Sequence, residues 1–287
     1  MPEAAANPRV SVITVAYSSF DVLPAMAASL PADVPLITVD NGPDDGVRDW
    51  ARTQGHTLLE PGRNLGFGAA CNLGAEAAGT DFLFFLNPDA RLEPGAIAAL
   101  LDAAERHPDS PAFGPAILKE SGEIFRVNAS RIPARRDRLI PPARPDTEVA
   151  LHSLNGAAIF ARAAPFRAIG GFDPKIFLYY EDDDMTLRLS QRFGPLIYVP
   201  TAHVFHASAG STAPSAALSR FKGYHLARSQ VYVMAKHGRS APYLRGVLNA
   251  ARRLVSIRNL TRPEKWNDAK GRWRGALSAW RGTDPGP

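Results

Sequence analysis

One cysteine, Cys71, stands among the 287 residues. That excludes an internal disulfide and a cysteine-based metal site, and it fits a reducing compartment. Long apolar runs are missing as well: no stretch reaches the roughly 18 consecutive apolar residues of a membrane span. The opening residues, MPEAAANPRV, have neither the basic start nor the apolar run of a secretory signal. The expected location is therefore the cytoplasm. Acids are scarce near the C-terminus. Residues 219–281 hold 15 lysines and arginines against Glu264 and Asp268, a charge of +13. The whole chain carries +5, which leaves 5 − 13 = −8 for the rest. An acidic body with a basic tail points to an anionic partner: a phospholipid surface, nucleic acid or an acidic acceptor.

What is present describes a globular α/β protein. Hydrophobic residues make up 45% of the chain, enough for a sizeable core. The length allows one large domain with an appendage. We place the main domain at residues 1–212 and a basic helical region at 213–287. The organising stretch is 82–90, FLFFLNPDA. Its five apolar residues read as a strand buried on both faces. Pro88 cannot donate to a sheet ladder, so the strand stops at Asn87-Pro88-Asp89. An acid is thus held at the carboxyl end of a buried strand, where open α/β sheets bind ligands. Asp89 there either caps the helix expected from Pro94 or holds a divalent metal.

The flanking pattern repeats strand and helix. Residues 9–16, 35–39, 56–60, 111–118, 156–162 and 196–199 read as strands, and 122–127 as a hairpin partner of 111–118. Helices are expected near 21–30, 44–54, 67–78, 94–107 and 181–193. This alternation predicts a mostly parallel sheet flanked by helices. Residues 131–146 hold four prolines and five arginines. They read as an irregular loop, either a surface excursion or a cover over substrate. His203 and His206 fall in a loop after the last strand, His203 in a structural role. Beyond Pro214 the pattern is helical. Over 243–260, Leu244, Val247, Leu248, Ala251, Leu254 and Val255 form one stripe flanked by Arg245, Arg252 and Arg253, an amphipathic basic helix. Trp266, Trp273 and Trp280 recur every seven residues, either as interfacial anchors or as a packing stripe. Basic residues interleaved with apolar ones favour a membrane surface or packing over nucleic acid.

Acidic or metal-competent residues gather at strand ends: Asp40, Asp89, His206, and the run Glu181 to Asp184 that opens a helix. Four adjacent carboxylates repel, so at least one has a raised pKa or a cationic partner. A raised pKa suits a general base, although a merely charged helix start is the plain alternative. Phe177, Tyr179 and Tyr180 form either an aromatic wall beside a ligand or part of the core. The stretch Gly66-x-Gly68-x-x-Cys71 resembles a dinucleotide fingerprint, with Cys71 where Gly or Ala is wanted. An NAD-dependent oxidoreductase is the alternative it raises. A nucleotidyltransferase would need a Gly-rich phosphate loop after the first strand, which Ala16-Tyr17-Ser18-Ser19 does not provide.

Taken together, VSVITVAY, VDNG, RNLGFGAACNLG, LNPDA, GGFDPKIFLYYEDDDMTLRL and a histidine followed by Gly210-Ser211 resemble the inverting family-two glycosyltransferases of GT-A fold, closest to the rhamnosyltransferase-like subgroup. The resemblance spans about residues 10–211. It implies that Thr14, Ala16 and Tyr17 meet the nucleotide, that Asp40 contacts the base, and that Arg63, Asn64, Gly66 and Gly68 lie beside the nucleotide sugar. It puts Asn87-Pro88-Asp89 at the DxD motif, with Asn87 on ribose or diphosphate, and makes Asp89 and His206 ligands of Mg²⁺ or Mn²⁺. Asp182 of the Glu181–Asp182 pair becomes the base that deprotonates the acceptor. The implied donor is a dTDP- or UDP-sugar, dTDP-rhamnose above all. The implied acceptor is a lipid-linked or cell-surface glycan precursor at the inner membrane face, with a soluble small molecule as the other option.

Overall fold

The structure is a computed structural model that describes residues 9–43, 46–125, 127, 130, 132–133, 139, 141–207 and 215–282. The first strand, β1 (Val10–Ala16), is buried along all seven residues. Helix α1 (Leu23–Ala28) follows, with Pro24 in its first turn, where no intrahelical donor is lost. Then come β2 (Leu36–Asp40), α2 (Val47–Thr53), β3 (Thr57–Leu59), α3 (Phe67–Ala77) and β4 (Phe82–Leu86). Strands β1 to β4 pair in parallel in the order β3-β2-β1-β4. Every residue of β4 is buried, because its two faces serve two different halves of the core. Phe82, Phe84 and Leu86 face one apolar cluster, Leu83 and Phe85 the other. Each fully buried phenylalanine contributes about 2–3 kcal/mol of apolar burial.

The chain then adds β5 (Ala90–Leu92), α4 (Ala96–Arg106), β6 (Ala112–Leu118), β7 (Val149–Leu151), β8 (Ala158–Arg162), α5 (Ala163–Ala168), α6 (Glu181–Phe193) and β9 (Leu196–His206). The sheet continues β4-β8-β6-β9-β5, with β7 also on β9. β8 runs antiparallel to β4 and to β6, while β9 runs parallel to β6. Thus β1, β2, β3, β4, β6 and β9 share one direction. The sheet is mixed α/β and mostly parallel, as the alternation predicts.

Several expectations need correction. The helix expected from Pro94 starts at Ala96, because the chain first lays down β5 against β9. The strand expected over 196–199 does not end there. It continues to His206, across a register shift between Pro115 and Ala116 of its neighbour, so both histidines sit in a strand and not in a loop. The hairpin partner of β6 is reduced to a bridge between Leu118 and Ile124. Part of the irregular loop 131–146 falls outside the described residues. Within the described part, Ile132 is fully buried against Ile176, Leu187 and Val233. Residues 1–8, the start of the helix expected from Asp44, Gly210-Ser211 and the division at residue 212 also lie outside the described residues.

The C-terminal part is helical: α7 (Ala216–Lys236), α8 (Pro242–Leu254), α9 (Ile257–Leu260) and α10 (Pro263–Arg281). The helix expected over 243–260 is interrupted at Val255-Ser256, where Ser256 is extended and the Asn259 side chain donates to the Arg253 carbonyl at 2.7 Å. Glycines let α7 and α10 touch backbone to backbone. A Cβ at Gly271 would lie 2.1 Å from the Arg220 carbonyl oxygen, and one at Gly275 equally close to that of Tyr224. α7 is also pinned to α6 through a buried ion-pair cluster. Asp184, fully buried, receives Arg188 at 2.8 Å, Lys236 at 2.9 Å and His237 at 2.9 Å. Lys236 reaches on to Asp173 at 2.6 Å.

Candidate active site

Two cavities open at the carboxyl ends of the central strands. The smaller, about 340 Å³, lies beyond β1, β2 and β4. Tyr17, Asn41, Asn64, Gly66, Asn87 and Asp89 line it from the sheet side, and Phe177, Tyr179, Phe221 and Lys222 close it from the helical side. The larger, about 640 Å³, is lined by Ser153, Asn155, Tyr179, Tyr180, Asp182, Asp183 and Tyr198, among others. Tyr179 borders both.

At the smaller cavity, Asp89 and Asn87 of its lining meet His206. β5 turns back from the Asn87-Pro88-Asp89 bend, and its pairing sets Ala90 opposite His206. The His206 Nε2 lies 3.2 Å from the Asp89 carboxylate and 3.5 Å from the Asn87 amide nitrogen. Two ligands sharing an edge of an octahedral shell sit about 3 Å apart when the metal bonds are about 2.1 Å. The Asp89–His206 spacing fits that, and both are hard oxygen or imidazole donors. Among the described residues, no three histidine, cysteine or carboxylate side chains are grouped so as to hold a metal ion, so those residues offer this pair and no complete cage.

Asn41 is the residue that reading the sequence passed over. Its side-chain amide donates to the Asn64 side chain at 2.9 Å and to the Gly66 carbonyl at 3.3 Å, and its oxygen accepts from the Leu65 amide at 2.7 Å. The loop before α3 is thereby fastened to the end of β2. Gly66 has φ +80°, and a Cβ there would meet the Phe177 carbonyl oxygen at 2.2 Å. A Cβ on Gly68 would meet Phe172 Cβ at 2.8 Å. These glycines allow close packing of α3 against the 170–180 segment, which accounts for the pattern that raised the dinucleotide reading.

Other expected nucleotide residues sit differently. Thr14 is fully buried with no hydrogen-bond partner for its hydroxyl, and Ala16 contributes a buried wall of β1. Neither lines the smaller cavity, nor does Gly68 or the exposed Arg63. Asp40 is buried and does not line it either. Its carboxylate takes the Arg48 guanidinium at 2.5 Å and the Gly42 amide at 3.3 Å. His203 joins Glu93 at 2.8 Å and ties β9 to the segment after β5.

The carboxylates that open α6 have separate fates. The Tyr179 and Tyr180 backbones are both left-handed, φ +66° and +68°, and this bend starts α6 beside the larger cavity. Asp182 faces that cavity. Its Oδ2 accepts from the Gly156 amide at 3.0 Å and its Oδ1 from the Asp183 amide at 2.9 Å. Burial, reinforced by the neighbouring Asp183 charge, raises its pKa to about 6. Glu181 points elsewhere, lining neither cavity. Its Oε2 is buried without a partner, and burial with the Asp182 charge pushes its pKa well above the carboxylate range. It also raises the buried Cys71 thiol further, after burial itself. Asp184 goes the opposite way: its hydrogen bonds to His237 and Lys236, with the Arg188 charge, outweigh burial and lower its pKa to about 2. The aromatic run is shared in the same manner, with Phe177 on the smaller cavity and Tyr180 on the larger.

Comparison with known proteins gives this geometry a family. The profile described as "Glycosyl transferase family 2" matches residues 11–164. An N-acetylglucosaminyl-diphospho-decaprenol L-rhamnosyltransferase of Mycobacterium tuberculosis is 33% identical over 241 residues, covering 70% of this chain and 76% of the relative. Rhamnosyltransferase WbbL of Escherichia coli is 26% identical over 142 residues, covering 45% and 53%. Among solved structures, mannosyltransferase PcManGT from Pyrobaculum calidifontis in complex with GDP-Man and Mn²⁺ superposes with a TM-score of 0.58 at 18% identity, covering all of this chain and 79% of that one. S. aureus TarS 1–349 in complex with UDP gives 0.57 at 12% identity, covering 97% and 93%. Those structures share the GT-A fold.

Proposed function

The chain belongs to glycosyl transferase family 2, and within it we propose an inverting hexosyltransferase that moves a sugar, rhamnose above all, from a nucleoside diphosphate onto a hydroxyl of a lipid-linked acceptor. The observation that carries this is the relation of Asp182 to the two cavities. A carboxylate with a pKa near 6 faces the larger one. The smaller one is lined by Asp89 and Asn87, with His206 against them, and among the described residues only Tyr179 is common to both. We assign the smaller cavity to the donor and the larger to the acceptor.

Asp89 and His206 are the residues that would hold a divalent cation, Mg²⁺ or Mn²⁺, together with the donor phosphates. Such a cation, when bound, neutralises charge that grows on the departing diphosphate. Tyr17, Asn64 and the Asn41-fastened loop would hold the nucleoside. Asp182 acts on the acceptor. Its carboxylate takes the proton of the attacking hydroxyl as that oxygen bonds to the anomeric carbon. The bond from that carbon to the phosphate oxygen breaks, and its electron pair leaves with the nucleoside diphosphate. One displacement of this kind inverts the anomeric carbon.

The lipid-linked acceptor is supported by the mycobacterial relative, whose name specifies a diphospho-decaprenol-linked sugar, and by the helical region. Among the described residues no helix is long and apolar enough to cross a membrane. Yet Leu244, Leu248, Val255, Ile257 and Trp280 are exposed beside Arg252, Arg253 and Arg281. Val247 and Trp273 instead turn inward onto Ala250 and Ala276, so the stripe splits between packing and surface. An exposed apolar strip among arginines suits peripheral contact with an anionic bilayer.

The test is Asp182→Asn, assayed with dTDP-rhamnose and a polyprenyl-diphospho-N-acetylglucosamine. Transfer should fall at least 100-fold while dTDP affinity stays within twofold. Full activity in that variant would remove Asp182 from its role.

A further inference from the structure

A third cavity, about 330 Å³, lies between α7 and α8 and belongs to neither of the two already assigned. α7 connects all three. Its Phe221 and Lys222 line the donor cavity, Leu226 the acceptor cavity, and Gln230 and Met234 the third. At 1.5 Å of rise per residue, Gln230 is about 6 Å and Met234 about 12 Å along the helix beyond Leu226. Gln230 marks the boundary. It donates to the Tyr180 hydroxyl at 2.8 Å, and Tyr180 lines the acceptor cavity with Asp182. The third cavity therefore begins one side chain beyond the acceptor cavity.

Its far wall carries Arg239 and Arg245. Two cations of the helical region are matched: Lys236 with Asp173 and Asp184, Arg272 with Asp268. Among the described residues Arg239 and Arg245 have no carboxylate within ion-pair distance. No acid lines this cavity, and Asn249 adds a further polar group. The wall is built to close approach, since a Cβ on Gly246 would strike Val231 Cγ2 at 2.3 Å. Two arginines lining one cavity suit phosphate oxygens, which guanidinium groups bind through paired N–H donors. Outside it, the same helix exposes Tyr243, Leu244 and Leu248.

We propose that this cavity holds the diphosphate of the lipid-linked acceptor, with Arg239 and Arg245 as its anion-binding residues. The proposal rests on the acceptor class given above. The acceptor sugar then occupies the larger cavity with its hydroxyl at Asp182, its diphosphate passes Gln230 to the arginines, and the lipid leaves over the exposed face of α8. Acceptors without a diphosphate lose this contact, so the pair acts on acceptor choice and not on donor binding.

The test uses the full chain and Arg239→Gln/Arg245→Gln. Transfer is measured to farnesyl-diphospho-N-acetylglucosamine and to octyl β-N-acetylglucosaminide, which has no phosphate. The double substitution should raise KM for the diphosphate acceptor at least tenfold more than for the octyl glycoside. Equal effects on both would overturn the proposal. If the native chain uses neither acceptor, the acceptor reading fails, and the site is decided separately by calorimetry with farnesyl diphosphate in EDTA. At least tenfold weaker binding in the double variant supports the site, and unchanged binding overturns it. Phosphatidylglycerol vesicles form the last arm. Loss of vesicle binding with farnesyl diphosphate affinity unchanged would assign the arginines to phospholipid headgroups and overturn the proposal.

Discussion

The Gly156 amide donates to Asp182 Oδ2 at 3.0 Å, and a Cβ on Gly156 would fall 2.7 Å from that same oxygen. The loop before β8 thus both aims the carboxylate and leaves no room for a side chain beside it. Gly156→Ala should displace Asp182 without disturbing the core. A shift of about 1 Å in a reacting group costs on the order of 100-fold. We expect kcat to fall 10- to 100-fold, with donor KM unchanged and a native circular dichroism spectrum. Undiminished kcat would separate Gly156 from the positioning of Asp182.

Asp182 is ionised at a cost, and removing the charge should stabilise the protein. Its pKa in the fold, about 6, is raised above the ordinary value of 3.8. A raised carboxylate pKa means that ionisation favours the unfolded chain. The penalty is absent below about pH 4 and complete above pH 6. Asp182→Asn keeps an oxygen for the Gly156 amide, loses the acceptor for the Asp183 amide at every pH, and carries no charge. Its stability relative to the native chain should be about 1–3 kcal/mol higher at pH 8 than at pH 4, read from denaturant midpoints at the two pH values.

Activity should follow the same group with the opposite consequence. Only the carboxylate form accepts a proton, so kcat should rise about tenfold per pH unit below pH 6 and level off above it. The Asp183 charge is the second cause of the raised value, after burial. Asp183→Asn should move the midpoint of the rising limb to lower pH. A midpoint that stays in place would assign the limb to another group.

Asp184 behaves as the structural counterpart of Asp182. Its pKa is lowered to about 2, so its ionised form stabilises the fold. That contribution is whole above about pH 4 and is lost as pH falls through 2. Replacing it leaves Lys236 and Arg188 without their buried partner. Asp184→Ala should cost about 3–5 kcal/mol by urea denaturation at pH 7. The difference from the native chain should shrink toward pH 2.

The sheet was legible because its signals are local. β4 is five apolar residues stopped by Asn87-Pro88, and β1 and β2 are runs rich in β-branched residues, β2 ending at Asp40. The four acids that open α6 are plain in the sequence, but their separate surroundings are not: Asp182 meets the Gly156 amide, Asp183 the Ser153 hydroxyl, and Asp184 the cations of α6 and α7. What could not be read is long-range. His206 looked like a loop residue because Pro200-Thr201 breaks the apolar pattern, yet pairing with β5 and β6 carries the strand through. The ion pair of Asp40 with Arg48, eight residues on in α2, likewise left no mark in the sequence. Asn41 gave no signal, because its bonds are made to residues 23 to 25 positions away. The three-cavity face of α7 is invisible in a pattern that reads only as helical.

The most direct measurement of the central claim is the anomeric configuration of the product. The full chain is incubated with dTDP-rhamnose, Mn²⁺ and a polyprenyl-diphospho-N-acetylglucosamine, and the one-bond C1–H1 coupling of the transferred sugar is read by NMR. A single displacement assisted by Asp182 predicts a configuration opposite to that of the donor, with no product from Asp182→Asn. A product that keeps the donor configuration would contradict the account.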